Sequence, residues 1–336
     1  MPYGLLRATH FHNPAQYSDI VGYTPPTFIL IFGRGIKSYN HSCASTLWLM
    51  TFDSGIFEYK YMLHQVKMKY MKKRTICLLM TMVCALTMLA QHYKIVNDVA
   101  YTVKTDAYSV ERLKLDIYYK EQATDLPVVV WFHGGDLTSG SKSFPEKLKE
   151  KDCVLVAVNY RLLPNVTIDR TIDDAAEAVA WVIDHIAEYG GSAKKMIVSG
   201  HSAGGYLTMM LALDKQWLGR YGKDANQIAV YVPFSGQAIS HFSYRDMNGI
   251  DALRPTIDEC APLYWVRKDC PPLVLLVGDR ELELFGRYEE NAYLARMMKL
   301  VGHKSTYLYE FDGHGHGGML EPGYHILEWW VKKIDN

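Results

Sequence analysis

Neither sign of charge prevails in this chain: Lys plus Arg number 36, and Asp plus Glu number 36. Without a basic excess, nothing points to a polyanion, so no nucleic-acid partner is expected. Cysteine is sparse. The six are Cys43, Cys77, Cys84, Cys153, Cys260 and Cys270, with no CxxC pair and no spacing suited to zinc, so no metal site is expected. Cys153 opens the apolar run Cys153 to Val158 and reads as a buried structural thiol. Cys260 and Cys270 lie in a loop-rich stretch; they either pair, if the protein is exported, or remain free thiols. Internal repeats and low-complexity linkers are absent too, which leaves no basis for dividing the C-terminal three-quarters of the chain.

A long hydrophobic run is also missing. Thr75 to Ala90 holds 16 residues without a charge, short of the about 20 that a membrane-spanning helix requires. It follows the basic cluster Met71-Lys72-Lys73-Arg74 and ends on a small residue. Basic head, short apolar stretch and small terminal residue form the pattern of an export signal, expected over 71–90, with Gln91 as the first mature residue. Met88 fits the minus-three position poorly. No stable span then remains after cleavage, and the expected location is periplasmic or secreted. Such signals stand at N-termini, so translation is expected to begin at Met71 or Met68, with residues 1–70 an upstream over-extension outside the fold. Within that stretch, Gly33-Arg34-Gly35-Ile36-Lys37-Ser38 has the composition of a phosphate loop without its spacing.

From Gln91 onward, strand and helix signals alternate, as a parallel sheet with crossover helices requires. Arg112 to Tyr119 alternates, with Leu113, Leu115 and Ile117 on one face, and reads as a half-exposed edge strand. Val128 to Phe132, Val154 to Val158 and Leu273 to Val277 are continuously apolar, as strands buried on both faces are. Shorter strands are expected at Met196 to Val198, Ile228 to Val232 and Ser305 to Phe311. A helix capped by Asp173 or Asp174 carries Ala176, Val179, Ala180, Ile183 and Ile186 and closes at Gly190-Gly191. Two more run from about Arg287 to Leu300 and through Ile326, Trp329, Trp330 and Ile334. The fold class is α/β: a mostly parallel central sheet flanked by helices, in a single catalytic domain over 91–336. Residues 235–270 are long for a plain connection and are read as a small cap.

The chemistry concentrates at Gly200-His201-Ser202-Ala203-Gly204, between the strand at 196–198 and the helical stretch from Tyr206. Strand, sharp turn and helix are the setting of a G-x-S-x-G nucleophile elbow, which makes Ser202 the candidate nucleophile. Side chains at Gly200 or Gly204 would clash where strand and helix pass closely. His133-Gly134-Gly135 directly follows the strand at 128–132. Attack on an ester passes through an oxyanion that needs preorganised N–H donors, and the amides of Gly134 or Gly135 with that of Ala203 are the candidates. His133 braces this loop. After the last strand come His314 and His316, either of which can serve as general base. After the strand at 273–277 come Asp279, Glu281 and Glu283, three carboxylates able to orient the histidine.

From about Val99 to the C-terminus, the chain resembles the α/β-hydrolase superfamily, in its hormone-sensitive-lipase-like and feruloyl or acetyl xylan esterase-like branches. The resemblance rests on His133-Gly134-Gly135, Asn159-Tyr160-Arg161-Leu162, Asp173-Asp174 with Trp181, Gly200 to Gly205, Pro271-Pro272 and the terminal Gly-His-Gly. It implies a serine esterase without metal or organic cofactor. It places the acid at Glu281, from a G-x-x-D pattern, and the base at His316, from G-x-x-H-G. Asp279, immediately after the strand end at Gly278, is the alternative acid, and His314 the alternative base. Glu283 is expected to be solvent-exposed. Two departures stand out: Asp136-Leu137 after the glycine pair, where the family commonly has a small residue and tryptophan, and Glu281 in place of aspartate. The expected activity is hydrolysis of small acyl esters through an acyl-enzyme, with acetyl or feruloyl esters of plant polysaccharide as candidate substrates. A prolyl-oligopeptidase-type peptidase shares the fold but normally carries a large propeller, for which there is no room. A catalytically silent binding protein would show damage at the serine, base or oxyanion loop, and none is seen.

Overall fold

The computed structural model describes residues 67–77 and 92–336. The chain divides into two compact units, Met1–Met80 and Thr81–Asn336. Of the first, residues 67–77 form an exposed helix, α1. The expectations for residues 1–66 and 78–91, including most of the export signal, lie outside the described residues. Among those described, no helix is long and apolar enough to cross a membrane.

The second unit is built on eight strands: β1 Tyr93–Ala100, β2 Lys114–Lys120, β3 Leu126–Phe132, β4 Val154–Val158, β5 Gly191–His201, β6 Val230–Phe234, β7 Leu273–Gly278 and β8 Thr306–Phe311. They lie in one sheet in the order β1-β2-β4-β3-β5-β6-β7-β8. β1 pairs antiparallel with β2, and β2 antiparallel with β4; every later pairing is parallel. The principal helices are α2 Ala107–Arg112, α3 Ile168–His185, α4 Ala203–Leu213, α5 Gln216–Gly219, α6 Phe242–Met247, α7 Arg287–Leu300 and α8 Leu320–Asp335.

The continuous apolar runs are explained by two cores, one on each face of the sheet. Along β3, Val128, Val130 and Phe132 enter one core with Ile172, Val179 and Leu207, the apolar stripes of α3 and α4. Val129 and Trp131 point the other way and join Leu327, Trp330 and Val331 of α8. A strand covered on both sides has no polar face to show, hence the unbroken apolar sequence. Each such side chain contributes roughly 1.5–3 kcal/mol by leaving water.

Two expectations are corrected. The alternating strand read from Arg112 to Tyr119 is not an edge: β1 pairs along its outer side. β1 itself exposes most of its residues and carries no regular apolar alternation, which is why it leaves no strand signal. The helix expected to be capped by Asp173 or Asp174 starts earlier, at Ile168 after Thr167, and both aspartates are buried within it. Asp174 is not a cap because Arg161 claims its carboxylate, donating from Nε at 2.8 Å and Nη2 at 2.6 Å. Removing one partner of such a buried pair costs about 3–5 kcal/mol. Gly190, left-handed at φ 77°, closes the 3-10 turn that ends this stretch.

Cys260 and Cys270 are free thiols. Cys270 Sγ donates to the Ala212 carbonyl at 3.6 Å. Cys153 is buried, and burial pushes its thiol up to about 12. It is an inert core residue.

Candidate active site

Ser202 stands between the end of β5 and the first turn of α4, at φ 56° and ψ −114°. A non-glycine residue held there is strained, and the surroundings impose it. The Ser202 amide donates to the Phe234 carbonyl at 2.8 Å, and its carbonyl accepts from Tyr206 at 2.9 Å. A Cβ on Gly204 would lie 2.1 Å from the Phe132 carbonyl oxygen, so no side chain fits where α4 crosses β3. Behind the serine, the first amides of α4, Ala203 among them, have no intrahelical acceptor and point their dipoles toward developing negative charge.

The loop after β3 passes directly against the elbow. A Cβ on Gly134 would lie 3.4 Å from Ser202 Cβ. Gly135 takes φ 114°, and its carbonyl accepts from the amides of Thr138 and Ser139 at 2.9 and 2.8 Å. Gly134 is therefore brought against Ser202, with Gly135 next to it in the loop and Ala203 directly after the serine. His133 braces this loop: its ring stacks on Tyr160 at 4.3 Å, and its Nδ1 donates to the Gly134 carbonyl at 2.7 Å. Tyr160 in turn donates to the His133 carbonyl at 2.8 Å. The Asn159-Tyr160-Arg161 segment thus acts as a strut, tied to α3 through Asp174. Asp136 and Leu137 both take positive φ, at 58° and 62°. Leu137 is fully buried, and the Asp136 carbonyl accepts from Ser243 Oγ of α6 at 2.6 Å. Through that bond the segment 235–270 abuts the oxyanion loop, and Tyr206 of α4 anchors the same segment by donating to the Cys260 carbonyl at 2.7 Å.

His316 lies beside the elbow. Its ring centroid is 4.6 Å from that of His201, whose Nε2 donates to the His316 carbonyl at 2.9 Å. His314 is exposed, and its backbone accepts from the Asp279 amide at 2.8 Å. It meets no carboxylate.

The acid requires a correction. The carboxylate that meets His316 is Glu283, not Glu281: Glu283 Oε1 lies 2.6 Å from His316 Nδ1, and the glutamate side chain is 1% exposed. Glu281 is exposed, with its amide on Asp279 Oδ1 at 2.8 Å. The reason is a turn. After β7 the chain coils, with the amides of Leu282 and Glu283 donating to the Asp279 carbonyl at 3.0 and 2.8 Å. Four residues of coiling bring Glu283 back under the strand end, where the Gly278 amide donates to its Oε2 at 3.1 Å. Two residues of coiling turn Glu281 outward. Asp279 is spent on backbone, accepting from Glu281 and, at 2.8 Å, from the Gly313 amide.

Burial alone would raise the Glu283 carboxyl. The bonds from His316, the Leu284 amide and the Ser235 hydroxyl outweigh it and hold the group near 2. An ionised carboxylate only accepts, so the shared proton sits on His316 Nδ1, and Nε2 is left with the lone pair that can take a proton from an alcohol. The set can therefore activate a serine, stabilise the imidazolium that forms, and bind an oxyanion at backbone amides. No group of three or more His, Cys, Asp or Glu suited to a metal ion occurs among the described residues.

His133 and His201 are both driven down to about 4, chiefly by burial. The unfolded chain protonates them near 6.5, the folded protein only near 4. Between those values the unfolded state holds more protons, so stability rises with pH and is lost on acidification. Each histidine costs up to about 1.4 kcal/mol per pH unit below 6.5. Thermal melts should thus show a falling Tm from pH 7 to pH 5, above the range where Glu283 contributes. A Tm that is flat across that window would overturn the reading that both rings fold neutral.

Sheet order, elbow and base loop together decide the architecture. The chain has the α/β-hydrolase fold. The chain matches the BD-FAE family model over residues 115–243, from β2 to the start of α6. Among solved structures, it is similar to a truncated carbohydrate esterase from gut microbiota, at TM-score 0.59 and 16% identity, covering 72% of this chain and 96% of that one. It is also similar to esterase Est2 of Thermogutta terrifontis, at TM-score 0.55 and 22% identity, covering 74% and 93%. Among curated proteins, it is 26% identical over 233 residues to a probable isoprenylcysteine alpha-carbonyl methylesterase of Arabidopsis thaliana, covering 60% of this chain and 48% of that protein. It is 35% identical over 118 residues to the probable carboxylic ester hydrolase LipM of Mycobacterium tuberculosis, covering 33% and 27%. The chain spans about half or less of the length of these curated relatives.

Proposed function

We propose that this α/β-hydrolase is a serine carboxylesterase. In this reading Ser202 attacks the acyl carbon, His316 accepts its proton and returns it to the leaving alcohol, and Glu283 holds the imidazole in the productive tautomer. Gly134, Gly135 and Ala203 supply the oxyanion donors, and water then hydrolyses the acyl-enzyme by the same route. The observation that carries the reading is the strained Ser202 elbow, whose preceding residue His201 packs 4.6 Å from the His316 ring, with His316 Nδ1 2.6 Å from a buried, ionised glutamate. The similarity to named esterases supports the reaction class.

For the substrate, the proposal is a small acyl ester, with acetyl or feruloyl groups on polysaccharide as the candidates. The gut carbohydrate esterase supports the carbohydrate side by fold alone. The segment read as a cap is short, which favours short acyl chains. A panel of p-nitrophenyl acyl esters, with acetylated and feruloylated xylan, tests both points. Acetate should turn over faster than dodecanoate, by about tenfold or more if the pocket excludes several methylenes. Faster turnover of dodecanoate would remove the short-chain reading, and inertness on every ester would remove the esterase reading.

A further inference from the structure

Ser235 is the first residue after β6 and is fully buried. It takes φ 46°, a left-handed conformation unusual for serine. Its hydroxyl lies 2.7 Å from Glu283 Oε2 and 3.0 Å from His316 Nδ1. A hydroxyl has one proton and two lone pairs. Since the carboxylate only accepts, the Ser235 proton goes to Glu283 Oε2, and a lone pair faces the Nδ1–H. His316 Nδ1–H then points between two acceptors, Glu283 Oε1 and Ser235 Oγ, which are themselves tied together through Oε2. The three side chains close a ring.

The backbone places this ring relative to the nucleophile. Phe234, immediately before Ser235, accepts from the Ser202 amide at 2.8 Å, and the Ser235 amide donates to the Leu276 carbonyl of β7 at 2.6 Å. One dipeptide at the end of β6 thus touches the nucleophile's backbone, the strand that carries the acid, and the side chains of acid and base. Arg287, buried at the start of α7, donates from Nη1 to the Ser235 carbonyl and so holds the left-handed turn in place.

We infer that Ser235 is a positioning residue of the active site: its hydroxyl orients the His316 imidazole by clamping Nδ1–H and the Glu283 carboxylate together. This rests on the triad reading of Ser202, Glu283 and His316. Ser235 touches neither substrate nor reacting atoms in this role. It acts through the histidine and should affect turnover rather than substrate binding.

The test is Ser235→Ala and Ser235→Gly in the full chain, assayed on p-nitrophenyl acetate, with active sites counted by stoichiometric phosphonylation. Both variants remove the hydroxyl, and glycine also relieves the positive φ. Each should lower kcat per active site by roughly 10- to 100-fold, the range for losing a hydrogen bond to a charged group, with KM changed less than about twofold. Combined with Glu283→Gln, the Ser235→Ala loss should shrink well below its value in the parent, because the two act on one proton. If Ser235→Ala does not fold, Ser235→Gly decides. Unchanged kcat per active site in either folded variant, or full additivity with Glu283→Gln, would overturn the inference and leave Ser235 a structural residue. Ser202→Ala run in parallel separates the two readings: if it stays active, the triad reading itself has failed.

Discussion

Replacing Ser202 with alanine should lower kcat on p-nitrophenyl acetate by about 10⁶-fold, the cost of deleting a triad nucleophile, while leaving the melting temperature nearly unchanged. The substitution removes one oxygen and keeps the Cβ, so the strain at φ 56° is the same in both proteins. The Ser202 backbone bonds to Phe234 and from Tyr206 do not involve the hydroxyl. Loss of activity would therefore report lost chemistry and not a lost elbow. Circular dichroism melts alongside the assay make the separation, and near-normal turnover by a folded Ser202→Ala protein would remove the serine from the mechanism.

The second large effect belongs to the acid. Glu283→Gln should lower kcat by about 10⁴-fold, as the acid-to-amide change does in a serine protease triad, and Glu281→Gln should be near parental. Glutamine is isosteric, so the coil from Asp279 to Glu283 can persist. What changes is the proton at Nδ1. A glutamine that turns its NH₂ toward His316 requires Nδ1 to accept, which moves the ring proton to Nε2 and leaves nothing there to take the serine proton. One that turns its carbonyl toward His316 preserves the tautomer but lacks the charge that stabilises imidazolium. Both orientations lose rate. The exposed Glu281 makes no contact with His316, and its charge is screened by water. If Glu281→Gln were the inactive variant and Glu283→Gln remained active, the acid assignment would return to Glu281.

The contrast between these two glutamates shows how far one-dimensional reading extends. Gly200 to Gly204 is legible because an elbow is local: five residues, the strand before them and the helix after them carry all the information. The parallel strands are legible for a similar reason, since burial on two faces writes an apolar run into the strand itself. The acid is not local. Whether Glu281 or Glu283 faces the histidine depends on whether the chain after β7 extends or coils, and the coil is held by amides on the Asp279 carbonyl and by Gly278 on Glu283 Oε2. Counting along an extended chain gives the wrong carboxylate. β1 escapes notice for another reason: its side chains, mostly exposed, carry no regular apolar pattern, and what ties it to β2 besides the ladder, such as Tyr93 stacked on Tyr118 at 5.1 Å, is a tertiary contact.

Ser235 lies furthest from sequence reasoning. Its partners are 48 and 81 residues away, and Ser-Gly after a strand reads as an ordinary turn. The sequence by itself determined the fold class, the elbow that carries Ser202, the glycine loop beside it and the histidine candidates, because periodicity and short motifs record local geometry and burial. The tertiary structure alone decided which carboxylate meets His316, which histidine is held, and that a serine at the end of β6 joins them. Those contacts lie between loops on separate strands, and only the parallel register of β5, β6, β7 and β8 brings their ends together.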